Sequence, residues 1–332
     1  MTRREVGLAF QGDKRPGDYA RLAAMAEGYA ADVFTIYGDL RYQPPLPGLL
    51  EAAAATSRIR LGPTCLNPFT MHPYEIAGQI AALDLAASGR AYLGLARGSW
   101  LESIGIEAER PVTYLAEASA VVARLIGGDR GGFEGEVFRL APGVDLQYEP
   151  QRRRVPLLIG SWGPQTLALA GRVADEAKIG GSTNPDMVAV ARRRIDAGIT
   201  APRSAEDVAL VMGAVTVVDE DGAAARTLAR REVAMYLDVV AELDPTYQVP
   251  DEILDAVRTH LRHGDTPAAG TEIPDEVLDR FAFAGTPDQV ADQAGALFAA
   301  GADRVEFGTP HGATPQTGID LLGTQVIPRL RS

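Results

Sequence analysis

Asp39, Arg97 and Glu102 each stand just past a short apolar run, where a strand end presents a side chain to a site rather than to a core. A carboxyl group placed there can serve as a general acid or as a hydrogen-bond acceptor, provided partial burial raises its pKa. The plainer roles are a loop residue capping local backbone for Asp39 and a complement to a helix N-terminus for Glu102. Arg97 suits an acidic cofactor tail or a neighbouring carboxylate. Two turns of small residues, Gly160-Ser161-Trp162-Gly163 and Gly180-Gly181-Ser182-Thr183, run into helices opened by proline, and N–H groups and hydroxyls exposed there would cradle a phosphate. Trp100 and Trp162 have faces to stack on a ring or simply to pack. Cys65 is most simply a small apolar residue, and His72, ahead of Pro73, reads as a cap rather than a proton carrier. His260 and His263, three apart with no third ligand, do not make a metal site.

These side chains need strands to place them. Eight β-branched or apolar runs, at 6–10, 32–37, 59–64, 91–96, 155–160, 177–180, 207–218 and 304–308, read as strands. Between them, 19–27, 47–56, 73–86, 112–125, 164–173, 185–197, 223–243 and 287–300 read as helices, most of them opened by Pro or Asp, and 316–330 reads as a closing helix. Eight strands in strict alternation with helices predict an α/β fold, a (β/α)8 TIM barrel rather than an open doubly wound sheet. The whole chain, 1–332, then forms one domain with two insertions, at about 127–150 and 244–280. The first reads as a small hairpin around Gly132-Phe133-Glu134-Gly135-Glu136-Val137-Phe138. Long insertions in a barrel usually shape its site.

Composition narrows the function. With 46% hydrophobic and 23% charged residues the chain can build a full core. No apolar run approaches the ~18 residues that cross a bilayer, and Met1 to Phe10 has no signal-peptide character, so the expected location is the cytoplasm. A net charge of -12, from 44 acidic and 32 basic residues, argues against nucleic acid as a partner. Of the basic residues only Lys14 and Lys178 are lysine, and the single cysteine excludes an internal disulfide. There is no Gly-x-Gly-x-x-Gly after a strand, no phosphate-loop Gly-Lys pair, no His-Glu-x-x-His and no Gly-x-Ser-x-Gly.

Taken together, Arg58-Ile59-Arg60-Leu61-Gly62-Pro63-Thr64-Cys65-Leu66-Asn67-Pro68, His72-Pro73, Leu83-Asp84 and Ser88-Gly89-Arg90-Ala91 resemble the luciferase-like flavin and deazaflavin barrels. Leu158-Ile159-Gly160-Ser161-Trp162-Gly163-Pro164, Ala170-Gly171 with Ala174-Asp175, and Phe283-Ala284-Gly285-Thr286-Pro287 through to Val326-Ile327-Pro328 most resemble the methylenetetrahydromethanopterin reductases, which use coenzyme F420. The resemblance implies a cis peptide at Thr64-Cys65 whose bulge supports one face of the deazaflavin. It implies cofactor contacts at Gly62, Pro63, Thr64, Arg97, Gly98 and Ser99, with the cofactor phosphate near Gly160-Ser161 and Gly181-Ser182. It also implies a homodimer. Two positions depart from the pattern: a glutamate on the first strand is Ala9 here, and a histidine after the second strand is matched by Asp39. These departures bear on the substrate; the matching motifs carry the cofactor class.

The expectation is therefore an F420-dependent oxidoreductase passing hydride between the deazaflavin C5 and a small organic substrate, with Asp39 and Glu102 as the candidate catalytic acids. Its alternatives are an FMN-dependent luciferase-like monooxygenase and a barrel that binds a flavin-like ligand without turnover.

Overall fold

The computed structural model describes residues 4–331. Strands β1 (Glu5–Phe10), β2 (Val33–Ile36), β3 (Arg60–Pro63) and β4 (Leu93–Leu95) come first. A two-stranded hairpin of β5 (Phe133–Glu134) and β6 (Arg139–Leu140) follows, then β7 (Leu157–Gly160), β8 (Glu176–Gly180), β9 (Ala209–Val218), β10 (Ala282–Gly285) and β11 (Arg304–His311). The large sheet runs β3-β2-β1-β11-β9-β8-β7-β4, all parallel, and single bridges Leu61–Ala91 and Leu66–Leu95 join its two ends. The result is the expected eight-stranded barrel. Helices α1 (Asp18–Gly28), α2 (Pro45–Ala55), α3 (Pro73–Ala86), α4 (Pro111–Gly127), α5 (Pro164–Val173) and α6 (Pro185–Asp196) cover its outside. Five of these six open on proline, whose fixed φ and missing N–H suit the first turn.

Three differences from the sequence reading lie at the C-terminal half. The 223–243 stretch is two helices, α7 (Gly222–Ala234) and α8 (Leu237–Leu243), because Tyr236 leaves helical geometry and its hydroxyl donates to the Phe281 carbonyl at 2.9 Å. No Gly or Pro marks that break, so only the tertiary contact reveals it. The 244–280 insertion is itself helical, comprising α9 (Asp251–Arg262), α10 (Thr266–Thr271) and α11 (Asp275–Phe281). It leads into β10, a ninth strand that pairs with the upper half of β9, Val215–Val218. Four residues, Ala-Phe-Ala-Gly, are too short a run to stand out as a strand. After α12 (Pro287–Ala300), the closing segment is α13 (Pro315–Leu321), a π-helical turn (Leu322–Val326) and α14 (Ile327–Arg331) rather than one even helix. At Gly323 a Cβ would lie 2.0 Å from the Tyr29 ring, so the helix widens where that ring packs against it.

The strand alternation divides the apolar residues from the polar ones. Val6, Leu8 and Phe10 of β1 pack outward in the main core with the helices, while Glu5, Gly7 and Ala9 face the barrel axis. Inside, Val33, Tyr92, Leu158 and Val211 form a separate small cluster with Cys65 against it.

Beside that cluster lies a charged network. Arg304, 1% exposed, reaches Glu176 at 2.7 Å, Glu306 at 2.9 Å and Glu5 at 3.7 Å. Arg60 bonds Glu5 at 2.9 Å and Glu176 at 2.8 Å, and Lys178 pairs with Glu306. Three carboxylates thus meet three cations, which is how charges survive in so dry a place. Glu176 is held down to about 2: burial alone would raise it, but Arg304 and Arg60 outweigh that. Sequence reading missed this network, although Glu176-x-Lys178 and Arg304-x-Glu306 alternate charge with apolar residues inside strands, a period-two signal of a polar barrel interior.

Candidate active site

The loops that follow the strand ends converge on one mouth. Gly38 lies against the β3 turn so closely that a Cβ there would sit 2.3 Å from the Cys65 carbonyl oxygen. Asp39, the next residue, is thereby brought beside the Thr64-Cys65 peptide, which is cis as the resemblance implied. The Gln11 side-chain amide donates to Asp39 Oδ2 at 3.2 Å. Burial raises the Asp39 pKa, opposed by that hydrogen bond and by the Lys178 charge. A half-buried carboxyl whose pKa burial raises, with an amide to orient it, is suited to general-acid chemistry. Tyr37, on the same strand end, is pushed well above its ordinary value by burial and by the Glu306 and Asp39 charges, so it stays a neutral phenol. Gly308 makes room for it; a Cβ there would meet the Tyr37 hydroxyl at 2.5 Å.

The other sequence-derived residues distribute around this centre. Gly62 and Pro63 are buried within β3, Gly62 under the Tyr92 ring, and Thr64 shares a short contact between hydroxyls with Thr35. Burial drives the Cys65 thiol up to about 12, so it is a packing group and not a nucleophile. Arg97, Gly98 and Ser99 lead out of β4 along the rim; Arg97 and Glu102 are 52% and 67% exposed and 3.8 Å apart. The structure therefore brings Glu102 to Arg97 and not to Asp39. Trp100 is exposed, whereas Trp162 is buried and its indole donates to the Gly180 carbonyl at 2.8 Å, tying the ends of β7 and β8 together.

The two small-residue turns differ from each other. At the β8 turn, Gly181 and Ser182 both donate their N–H groups to the Gly213 carbonyl, at 2.6 and 3.3 Å, and the buried Ser182 hydroxyl accepts from Asn184. Those donors are committed within the protein. At the β7 turn, the Ser161 hydroxyl accepts from Gly163 at 3.0 Å, which leaves its own proton for an outside acceptor. The large insertion seals the β8 side: Asn184 bonds Asp244 at 2.8 Å and Thr246 at 2.7 Å, and Thr183 bonds the Asp279 carbonyl at 2.9 Å.

Among the small residues at the strand ends, the Cβ position of Gly180 faces empty space, whereas a Cβ on Gly160 would meet Cys65 Sγ at 3.0 Å and one on Gly308 the Tyr37 hydroxyl at 2.5 Å. Such a mouth, with a bulged turn on one side and an acid beside it, fits a flat ring system with a polar tail.

The fold and this mouth define the class: the profile of the luciferase-like monooxygenase family matches residues 3–304, and the chain belongs to that family. Within it, the chain is 31% identical over 338 residues to the 5,10-methylenetetrahydromethanopterin reductase of Archaeoglobus fulgidus, covering 98% of this chain and all of that one. It is 27% identical over 342 residues to the F420-dependent glucose-6-phosphate dehydrogenase of Nocardia farcinica, covering 96% and 95%. The solved structure of the coenzyme F420-dependent tetrahydromethanopterin reductase from Methanopyrus kandleri superposes with a TM-score of 0.91 at 26% identity, covering 99% of both chains.

Proposed function

We propose that this protein is a coenzyme F420-dependent oxidoreductase that passes a hydride between the deazaflavin C5 and a small organic substrate. The observation that carries the reading is Asp39 held beside the cis Thr64-Cys65 turn in an open mouth, in a chain that matches F420-dependent reductases along its full length. F420, when bound, supplies a two-electron hydride carrier. The residues that would hold it are the Thr64-Cys65 turn, the Arg97-Gly98-Ser99 rim, and Gly160, Ser161 and Gly180 at the ends of β7 and β8. Arg97 offers a guanidinium to an acidic tail and Ser161 a hydroxyl proton to a phosphate. Gly62 and Pro63 support the turn from within β3, Trp162 braces it across to Gly180, and Gly181 and Ser182 shape the rim through their bonds to Gly213. Asp39 gives a proton to the substrate as hydride arrives, since Ala9 has none to give. Glu102 keeps Arg97 at the rim.

The enzyme works on a small-molecule substrate, in the cytoplasm, as a homodimer. Among the described residues no helix is long and apolar enough to cross a membrane, and no cluster of side chains is arranged to hold a metal ion.

Fluorescence titration of the purified chain should show F420 bound at least ~10-fold more tightly than FMN, equivalent to about 1.4 kcal/mol. Anaerobic turnover should then require F420. Equal or tighter FMN binding would replace this reading with the FMN-dependent monooxygenase, and binding without turnover of any carbonyl, imine or alcohol tested would favour the non-catalytic barrel.

A further inference from the structure

The residues proposed to hold F420 follow the ends of β3, β4, β7 and β8, which are neighbours in the closed barrel. The other four strands, β2, β1, β11 and β9, are neighbours too and form the opposite side of the mouth. A ring lying with one face on the Thr64-Cys65 turn leaves its other face to that side, where a hydride acceptor has to stand. Tyr37, the first residue past β2, leans across it. Its side chain passes β1, where Ala9 pairs with Thr35 of β2, and reaches β11, where Gly308 pairs with Ala9. A Cβ on Gly308 would sit 2.5 Å from the Tyr37 hydroxyl, so β11 carries no side chain at the point where the phenol rests. Gly308 is two residues past Glu306 and four past Arg304, so strand alternation sets the phenol next above the charged network. The Lys178 ammonium lies 5.6 Å from its ring centroid.

Among the described residues the Tyr37 hydroxyl makes no hydrogen bond, and unlike the unpartnered Tyr92 hydroxyl it is not sealed inside the barrel: Tyr37 is half-buried, with its oxygen open to the mouth. Other polar side chains on that side are committed within the protein. The Gln11 amide donates to Asp39 at 3.2 Å, the Thr309 hydroxyl accepts from the Gln11 N–H at 3.0 Å, and the His311 ring is bonded to the Phe307 carbonyl at 3.1 Å. A phenylalanine would fill the same space, so the fold gains nothing from the oxygen. The neutral phenol keeps a proton to donate.

We infer that the Tyr37 hydroxyl is a further catalytic group, which donates to the oxygen of a carbonyl substrate and steadies the negative charge that grows there. The inference rests on the F420-dependent reading and narrows its substrate to an aldehyde or ketone. The carbonyl carbon takes the hydride, with the reduced deazaflavin as the two-electron donor, and the C=O π pair withdraws to the oxygen. The Tyr37 O–H bonds to that oxygen while it is negative, and the proton from Asp39 completes the alcohol. An iminium nitrogen has no lone pair to accept from Tyr37.

Tyr37→Phe in the full chain removes the oxygen alone. With reduced F420 and a panel of small aldehydes and ketones under anaerobic conditions, it should lower kcat ~10- to 100-fold, the effect of one hydrogen bond to growing charge, while KM changes less than ~3-fold. F420 affinity, from fluorescence titration, should stay within ~3-fold of native. The thermal unfolding midpoint of the cofactor-free variant should lie at or above the native value, because no protein partner loses a bond. A midpoint lowered by ~3 °C or more would show the hydroxyl bonded within the protein and overturns the inference. So does a native-like kcat, a loss confined to KM, or a loss that falls on F420 affinity instead. A native chain that binds F420 and reduces imines but no aldehyde or ketone overturns the carbonyl assignment and leaves the F420 reading standing. A native chain to which F420 does not bind overturns both.

Discussion

Asp39→Asn should lower kcat by about 10²- to 10⁴-fold, the range of a lost general acid, while F420 affinity changes by no more than about threefold. The substitution keeps the shape of the side chain and its place beside Gln11, and removes only the titrating group, whose pKa burial raises. The pH profile should carry the same signature. Because burial raises the pKa of Asp39, the native enzyme should lose activity in substrate reduction as pH rises through that value and the acid deprotonates; the Asn variant should lack that limb. Stopped-flow turnover across pH, with a parallel cofactor titration, checks both. Near-normal turnover in the variant, or a loss confined to cofactor binding, would show that Asp39 shapes the loop and that water supplies the proton.

The second large effect concerns the barrel interior. Arg304→Met should destabilise the protein by about 3–5 kcal/mol at pH 7, the cost of stranding buried carboxylates without their cation. Glu176, Glu306 and Glu5 all lean on that guanidinium, and it is 1% exposed, so water cannot take its place. The effect should depend on pH with a definite sign. In the native protein Glu176 titrates at about 2 against an ordinary 4.5. Its contribution, on the order of 3 kcal/mol, is therefore complete above pH 4.5 and is lost as pH falls toward 2. Without Arg304 the carboxyls hold their protons more tightly, so the gap between variant and native protein should narrow as pH drops from 7 to 4. Urea unfolding midpoints at the two pH values measure this. A deficit below about 1 kcal/mol, or one that widens in acid, would contradict the role assigned to Arg304.

The barrel itself was legible in the chain because each unit announces itself locally. Alternating apolar runs and proline-opened helices follow from short-range backbone preferences, and the eight expected strands and their order stand as read. The small hairpin in the first insertion was legible for the same reason, Gly-rich ends around Phe133 and Phe138. β10 was not, because Ala-Phe-Ala-Gly becomes a strand only by pairing with the overlong β9. The split between α7 and α8 was hidden likewise, set by one hydroxyl reaching the Phe281 carbonyl from forty-five residues away.

For the site, position in the chain was enough to select Asp39, since a residue two places past a strand end must lie near a barrel mouth. The cis Thr64-Cys65 turn followed from resemblance rather than from local chemistry. Which carboxyl meets which partner was decided only when the strands closed. Asp39 and Glu102 look alike along the chain, yet one is tucked beside Gln11 and the other reaches outward to Arg97. The backbone donors of both small-residue turns looked free along the chain, yet the Gly213 carbonyl takes those of Gly181 and Ser182 and the Lys178 carbonyl takes that of Ser161, leaving the Ser161 hydroxyl proton. Lys178 and Glu306, 128 residues apart, become a pair only because β9 alone separates their strands and carries a glycine between them. Periodicity and turn chemistry act over a few residues and so can be read from the chain. Burial, charge pairing and the acid strength of a side chain are set by whichever distant residues share its few cubic ångströms, and those are known only once the barrel is closed.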